Sequence, residues 1–322
     1  MAPESEALHP LIVVVGPTAS GKSALAIRLA EEFGGEIVSC DSVAVYRGME
    51  IGTAKPPWKD RAQVPHHLID VANPDEAFTA GDYSRLGRKA MFGITARGRL
   101  PIVAGGTGLY LRALIDGLFP TPTVAPELRA RLRERGALRG ADYLHRVLGR
   151  MDAVSAGTIH PHDLPKIVRA MEVTLAARRP MSEQRELGRE PLRGYRVLRL
   201  GLAPPRERLY ERINTRAAAM FDQGLVEEAE MLVKRYGREC RALGSLGYAE
   251  AKAVLGGEMT REAAIVQAQQ GHRNYAKRQG TWFRREPEVR WMAGFGGEPE
   301  VLAEARSLLA RHLRGESAGF EA

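Results

Sequence analysis

The chain has 322 residues, 44% hydrophobic and 27% charged, and 47 Lys and Arg against 39 Asp and Glu give it a net charge of +8. That length suits about two domains, and no apolar run approaches the roughly 20 residues that span a bilayer. Two cysteines, Cys40 and Cys240, are too few for a disulfide framework or a cysteine-built zinc site, so free thiols in a cytoplasmic, reducing compartment are expected.

Residues 1–10 are acidic, with no basic leader region, and are expected to be a loose tail rather than a secretory signal. Leu11–Val15 is a β-type apolar run, and a helical run follows from Ala24. Between them stands Gly16-Pro17-Thr18-Ala19-Ser20-Gly21-Lys22-Ser23, the strand–GxxxxGK[ST]–helix pattern of a P-loop. Its glycines let several backbone N–H groups converge on one anion, and the helix N-terminus adds partial positive charge. Lys22 is expected on the phosphates and the Ser23 hydroxyl on Mg²⁺. This loop specifies a phosphate chain and a metal but not the bond that breaks.

Glu36–Cys40 reads as a second strand that ends at Asp41. In a parallel α/β sheet the carboxyl ends of strands face the ligand crevice, which sets Asp41 beside the P-loop. A turn-rich stretch, 51–57, leads to a brief strand at 65–70. The apolar spacing of Tyr83, Leu86, Ala90, Met91 and Ile94 predicts a helix over 79–97. Pro101–Ala104 is another buried strand, and it runs through Gly105-Gly106-Thr107-Gly108 into a helix. Residues 11–118 thus read as an α/β, doubly wound parallel sheet, a P-loop core.

From 120 to 195 strand signals vanish. This block has 14 Lys and Arg against 9 Asp and Glu, and helices are expected after Pro126 and after Asp163, where Asp can cap and Pro can fill the first turn. A basic, all-helical insertion inside an α/β chain suits a polyanionic partner. The expected division is 1–118 and 196–311 for the core, 119–195 for the insertion and 312–322 for a frayed tail.

Residues 195–202 alternate as a strand that rejoins the sheet. Arg206–Phe221 reads as a helix with Leu209, Ile213, Ala217 and Met220 on one side and Arg208, Arg212 and Arg216 on another, either a solvated face or one that tracks phosphates. Gly224 ends it and Leu225–Tyr236 is the next helix. Residues 272–285 hold five Lys and Arg, three aromatics and no acid, a mixture that suits backbone contact plus base stacking.

Several of these segments occur together and in order: GPTASGKS, Asp41-Ser42, Tyr46-Arg47-Gly48-Met49, Ile51-Gly52-Thr53-Ala54-Lys55-Pro56, PHHLID, GGTGLYLRAL, IHPHDLPKIVRAMEV, GLVEEA, LGY and YAKRQGTWFR. Together they resemble the tRNA dimethylallyltransferase (tRNA isopentenyltransferase) family, of the shorter bacterial type, over residues 11 to 285. The resemblance implies transfer of a dimethylallyl group from dimethylallyl diphosphate to N6 of adenosine 37, beside the anticodon of tRNAs that read codons starting with U. It implies a helical insertion that grips the anticodon stem-loop; Mg²⁺ as cofactor is expected from the P-loop itself, no membrane association from the lack of a long apolar run, and a monomer is expected as well.

Asp41 is then the candidate base for the weakly nucleophilic adenine amine, with a Mg²⁺ ligand as its competing role. The resemblance places Thr107 and Arg129 in the reaction channel. It sets Ser42, Val43, Ala44 and Val45, and Pro165, Lys166, Ile167, Val168 and Arg169, on the tRNA, with Lys166 and Arg169 on phosphates. Arg278 and Gln279 are further channel candidates. At Ala44 the family usually has a polar or larger residue. Two other enzymes could use this loop: an adenylate isopentenyltransferase acting on free AMP or ATP, and a P-loop small-molecule kinase. A non-catalytic RNA-binding protein would have no use for an intact Lys22, Ser23 and Asp41.

Overall fold

A computed structural model describes residues 8–122 and 125–316. The chain divides into two compact units: the first runs up to Leu114 and resumes at Leu192, and the second is Ile115–Pro191.

The first unit is built on a six-stranded, all-parallel sheet: β1 (His9–Val15), β2 (Gly35–Cys40), β3 (His66–His67), β4 (Leu100–Gly105), β5 (Tyr195–Leu202) and β6 (Val289–Met292), in the order β3-β2-β4-β1-β5-β6. The strand begins at His9, so 9 and 10 are not tail; His9 N–H donates to Gly194 O at 2.9 Å. Alternation along β1 sends Ile12 and Val14 into one core with Leu25, Ala26 and Leu29 of α1 (Lys22–Phe33). Leu11, Val13 and Val15, equally buried, point to the opposite face. A sheet covered on both faces accounts for apolar runs in place of alternation.

Around the sheet are α2 (Trp58–Gln63), α3 (Ala80–Ala96) and α4 (Gly108–Ile115). Thr79 and Asp82 form a reciprocal capping box at the start of α3. The second unit holds α5 (Pro126–Arg139), α6 (Ala141–Met151), α7 (Ala153–Thr158), α8 (Leu164–Ala177) and α9 (Met181–Glu186) around their own core, which includes Leu144, Leu148, Ile167 and Met171. Asp163 caps α8 by accepting from Lys166 N–H at 3.2 Å. The first unit is completed by α10 (Arg206–Asp222), α11 (Leu225–Tyr236), α12 (Tyr248–Leu255), α13 (Arg261–Phe283) and α14 (Pro299–Leu313).

Helix α14 extends into the segment expected to fray. His312 is buried on it and its Nε2 lies 3.0 Å from Arg196 O; residues 317–322 lie outside the described residues, as do 1–7. Among the described residues no helix is long and apolar enough to cross a membrane.

Candidate active site

The P-loop turns between β1 and α1 through three residues of positive φ: Gly16 at 147°, Ala19 at 64° and Gly21 at 90°. A Cβ on Gly16 would stand 2.9 Å from Leu202 O, and one on Gly21 2.9 Å from Gly296 N, so both positions need glycine twice over. Ala19 accepts a left-handed conformation that costs a non-glycine residue about 1 kcal/mol or more. The product is a row of backbone amides. Those of Ala19, Gly21, Lys22, Ser23 and Ala24 have no hydrogen-bond partner within the described residues, while Ser20 N–H donates to Pro17 O at 3.3 Å. Gly21 caps α1 without a side chain in the way, so the helix N-terminus opens onto the same space.

Period-2 alternation on β2 turns Ile37, Ser39 and Asp41 toward a cavity of about 540 Å³ that the P-loop also lines. Cys40 faces the other way and its thiol reaches Thr107 O at 3.6 Å; burial pushes it up to about 12, so it stays an inert thiol. Asp41 Oδ1 accepts from the amides of Val43 at 2.8 Å and Ala44 at 3.1 Å. That turn leaves Oδ2 uncommitted within the described residues. Ser42 N–H donates to Thr107 Oγ1 at 3.0 Å, tying the loop after β2 to the loop after β4.

Lys22 Nζ donates to Pro17 O at 2.6 Å. Burial, and then the nearby Arg216 guanidinium, bring its ammonium down to about 7, against an opposing pull from Asp41. Arg216, from α10, donates to Thr18 Oγ1 and lines the cavity with Arg212. Gln279, from α13, holds the loop from the other side: its Oε1 accepts from Thr18 N–H at 2.7 Å, and its Nε2 donates to Gly106 O at 2.9 Å. Its amide is thereby committed to backbone. Tyr275, one turn earlier on α13, also lines the cavity, and burial pushes its phenol up to about 12. Apolar lining comes from Ile27, Ile37, Ala44, Ile69 and Ala104.

The residues singled out in the sequence thus fall into distinct settings. Asp41 and the P-loop meet in the cavity. Thr107 is within hydrogen-bond reach of Ser42. Ala44 touches the cavity, Val45 is wholly enclosed, and Ser42 and Val43 are half-buried. Arg278 is exposed, its guanidinium 5.7 Å from the Tyr275 ring.

Arg129 belongs to the helical unit, where it makes a two-point pair with the buried Glu172, Nε to Oε1 at 2.6 Å and Nη2 to Oε2 at 3.0 Å. In the same unit Ile167 and Val168 are core, Pro165 lies in the first turn of α8, and Lys166 and Arg169 keep 71% and 44% of their side chains exposed. Sequence reasoning did not assign Arg216 or Tyr275. The four-residue spacing of Arg208, Arg212 and Arg216 marks a face, but only the tertiary fold shows which arginine meets the P-loop.

A family described as IPP transferase matches residues 44–286, and one described as isopentenyl transferase matches residues 9–66. The chain is 59% identical over 299 residues to the tRNA dimethylallyltransferase of Koribacter versatilis, covering 93% of this chain and 97% of that one. It is 53% identical over 305 residues to the protein of the same name from Solibacter usitatus, covering 94% and 99%. Among solved structures it is similar to the full-length tRNA isopentenylpyrophosphate transferase of Bacillus halodurans, with a TM-score of 0.71 and 35% identity over 96% of this chain and 98% of that one.

Proposed function

The chain belongs to the IPP transferase family, and from that premise we propose that it transfers the dimethylallyl group of dimethylallyl diphosphate to N6 of adenosine 37 in the anticodon loop of tRNA, in the cytoplasm. The observation that carries this reading is that the Asp41 carboxylate and the P-loop, with Lys22 and Arg216, line one cavity.

Each group has work to do in such a reaction. Breaking an allylic C–O bond builds negative charge on the departing diphosphate. The unpaired amides of Ala19, Gly21, Lys22, Ser23 and Ala24, the Lys22 ammonium and Arg216 stand where that charge develops, and such fixed donors favour the transition state over the ground state. The adenine amine is a poor nucleophile because its lone pair is delocalised into the ring. Asp41 Oδ2 takes its proton as the N–C bond forms, while the Oδ1 bonds to Val43 and Ala44 keep the carboxylate in place. The apolar lining holds the five-carbon tail.

A divalent metal fits the same end of the cavity. The Ser23 hydroxyl is exposed there, and no cluster of three His, Cys, Asp or Glu exists among the described residues to cage an ion without substrate. Mg²⁺ would therefore be held by Ser23 and the diphosphate oxygens, and when bound it neutralises charge on the leaving group. We assign tRNA phosphates to Lys166, Arg169 and Arg278, and base-side contact to the Ser42–Val45 loop, where Ala44 reaches the cavity. Extruding a loop base costs at most a few kcal/mol of stacking.

The test is a matched pair of binding and single-turnover assays on Asp41→Asn. Asparagine keeps an oxygen for the Val43 and Ala44 amides but cannot take a proton. The rate is expected to fall roughly 10²–10⁴-fold with donor and tRNA affinities unchanged. A near-normal rate removes Asp41 as the base.

A further inference from the structure

Two adjacent histidines on β3 meet different fates, and one of them has no part in the reaction as described. Strand β3 pairs with β2 in parallel, Ile37 against His66 and Val38 against His67. Alternation then puts the two imidazoles on opposite faces of the sheet. His67 joins Glu36 on one face, with its Nε2 2.7 Å from Glu36 Oε2. His66 shares the face of Ile37, Ser39 and Asp41, and like them it lines the donor cavity.

Geometry fixes where the His66 proton sits. Its Nδ1 lies 2.7 Å from Val64 O. A carbonyl can only accept, so Nδ1 carries the proton and the lone pair falls on Nε2. Burial, the largest influence, holds the ring below its usual value against the pull of the Val64 bond, so at neutral pH it is uncharged. Nε2 has no hydrogen-bond partner among the described residues and is not sealed from solvent.

Ser39 is in a similar condition. It is 8% exposed, and its hydroxyl has no partner among the described residues. Nearby polar groups of the same cavity are already committed: Thr53 donates to Met49 O at 2.6 Å, and Lys55 to Tyr46 O at 2.7 Å. Otherwise this part of the cavity offers hydrocarbon, from Ile27, Ile37 and Ile69. A dimethylallyl group has no proton to give a lone pair and leaves His66 idle. A hydroxyl on one of its terminal methyls would donate to His66 Nε2 and accept from Ser39 Oγ.

We propose that the chain also takes hydroxylated prenyl donors, five-carbon allylic diphosphates with a hydroxyl on a terminal methyl, and that His66, with Ser39, admits them by binding that hydroxyl. The proposal rests on the prenyl-donor reading of the cavity. The N6–C1 bond forms as the C1–O bond breaks, the diphosphate leaves with the electron pair of that bond, and the amine proton passes to Asp41. The terminal C–O bond stays intact, so the step needs no oxidant or reductant. Its product is adenosine 37 bearing a hydroxylated five-carbon group.

The experiment is a competition. The full-length chain, Mg²⁺ and unmodified tRNA receive equal amounts of dimethylallyl diphosphate and 4-hydroxy-3-methylbut-2-enyl diphosphate, with the E and Z isomers in separate runs. The two nucleoside products, one oxygen apart in mass, are counted after digestion. A purely apolar pocket rejects an added hydroxyl roughly 10²-fold. With His66 in place, one isomer should instead be used within about threefold of dimethylallyl diphosphate. His66→Leu should shift the product ratio at least about tenfold toward the dimethylallyl product, and Ser39→Ala should shift it the same way by less. The ratio is internal to each reaction, so a variant that is only less folded or less active leaves it unmoved.

Rejection of both isomers by the parent would overturn the proposal, and so would a His66→Leu ratio equal to the parent's. If His66→Leu is inactive with both donors, His66→Phe, which keeps a planar ring without the lone pair, takes its place in the same comparison. A parent chain that transfers neither group would overturn the prenyl-donor reading itself, a result distinct from transfer of the dimethylallyl group alone.

Discussion

At the scale of single residues, the site asks Lys22 and Asp41 to work as opposite charges in one cavity, and the Lys22 ammonium loses its proton near pH 7. A bound diphosphate favours the charged amine and raises it again. Binding should therefore draw protons from solvent above pH 7, and donor affinity should fall as the pH rises. Calorimetry at pH 8 in buffers of different ionisation enthalpy should report uptake of close to one proton, which Lys22→Met removes; zero uptake by the parent would show that Lys22 stays charged throughout. Much of this end of the site is legible in the sequence, because GPTASGKS fixes backbone geometry by its glycines and chemistry by its Lys and Ser. Arg216 is not, because one of three arginines at helical spacing is selected only by the packing of α10 on α13. Gln279 teaches a related lesson: a polar residue in a basic, aromatic segment is here spent on holding two loops together.

At the scale of elements, several residues that look functional are structural. Glu228 accepts from the amides of Glu50 and Ile51, each at 3.1 Å, and from the Tyr248 hydroxyl, which in turn accepts from Gly52 N–H at 3.2 Å. This network ties GLVEEA and LGY to the IGTAKP turn. A Cβ on Gly52 would fall 2.4 Å from the Tyr248 ring, so Gly52→Ala should cost about 1–3 kcal/mol in urea melts; an unchanged midpoint would show that the ring yields freely. Lys55 is likewise spent, on Tyr46 O at 2.7 Å, Asp70 at 2.6 Å and Glu50 at 3.1 Å.

In the helical unit Asp152 accepts four hydrogen bonds, from the amide and hydroxyl of Ser155 and of Ser182. Burial opposes its charge, but those bonds prevail and hold its carboxyl below the usual value of 3.8. Its stabilisation is therefore fully present above that unfolded value and is lost as the pH falls through the lower, folded one. Hydrogen exchange at Ser155 and Ser182 should accelerate in Asp152→Ala at neutral pH; protection equal to the parent would contradict this account of the α7–α9 link. The sequence does not show β6 or α2. Four residues, Val289–Met292, are too few for a periodic signal, and the Pro56-Pro57 pair masks a helix that uses Pro57 as its N-cap.

At the scale of the whole molecule, the charge of +8 is unevenly placed, with five of those charges falling between 120 and 195. Lys166 and Arg169 stand exposed on α8 while Ile167 and Val168 anchor that helix in its core. Affinity for tRNA should then fall linearly on a log–log salt plot, by about 0.7 to 0.9 per phosphate contacted. Lys166→Ala should reduce that slope by nearly one contact with little change in donor binding; a slope unchanged by the substitution would place the phosphate contact elsewhere. The parallel sheet was readable because strand, glycine turn and helix recur in the sequence at β1 and β4. The two terminal segments are drawn too long on their inner sides, where β1 starts at His9 and α14 runs to Leu313, because single residues, His9 and His312, are fixed by distant backbone partners, Gly194 and Arg196.

The central claim is that this cavity joins a five-carbon group to an adenine amine in tRNA. The most direct measurement combines the protein, Mg²⁺, dimethylallyl diphosphate and an unmodified tRNA with adenosines at 36 and 37, followed by digestion and mass analysis of the nucleosides. AMP in place of tRNA, and ATP in place of the donor, serve as parallel arms. A single five-carbon gain on adenosine 37 of the tRNA alone is the predicted result. Prenylated AMP, or phosphoryl transfer from ATP without any prenylation, would contradict it.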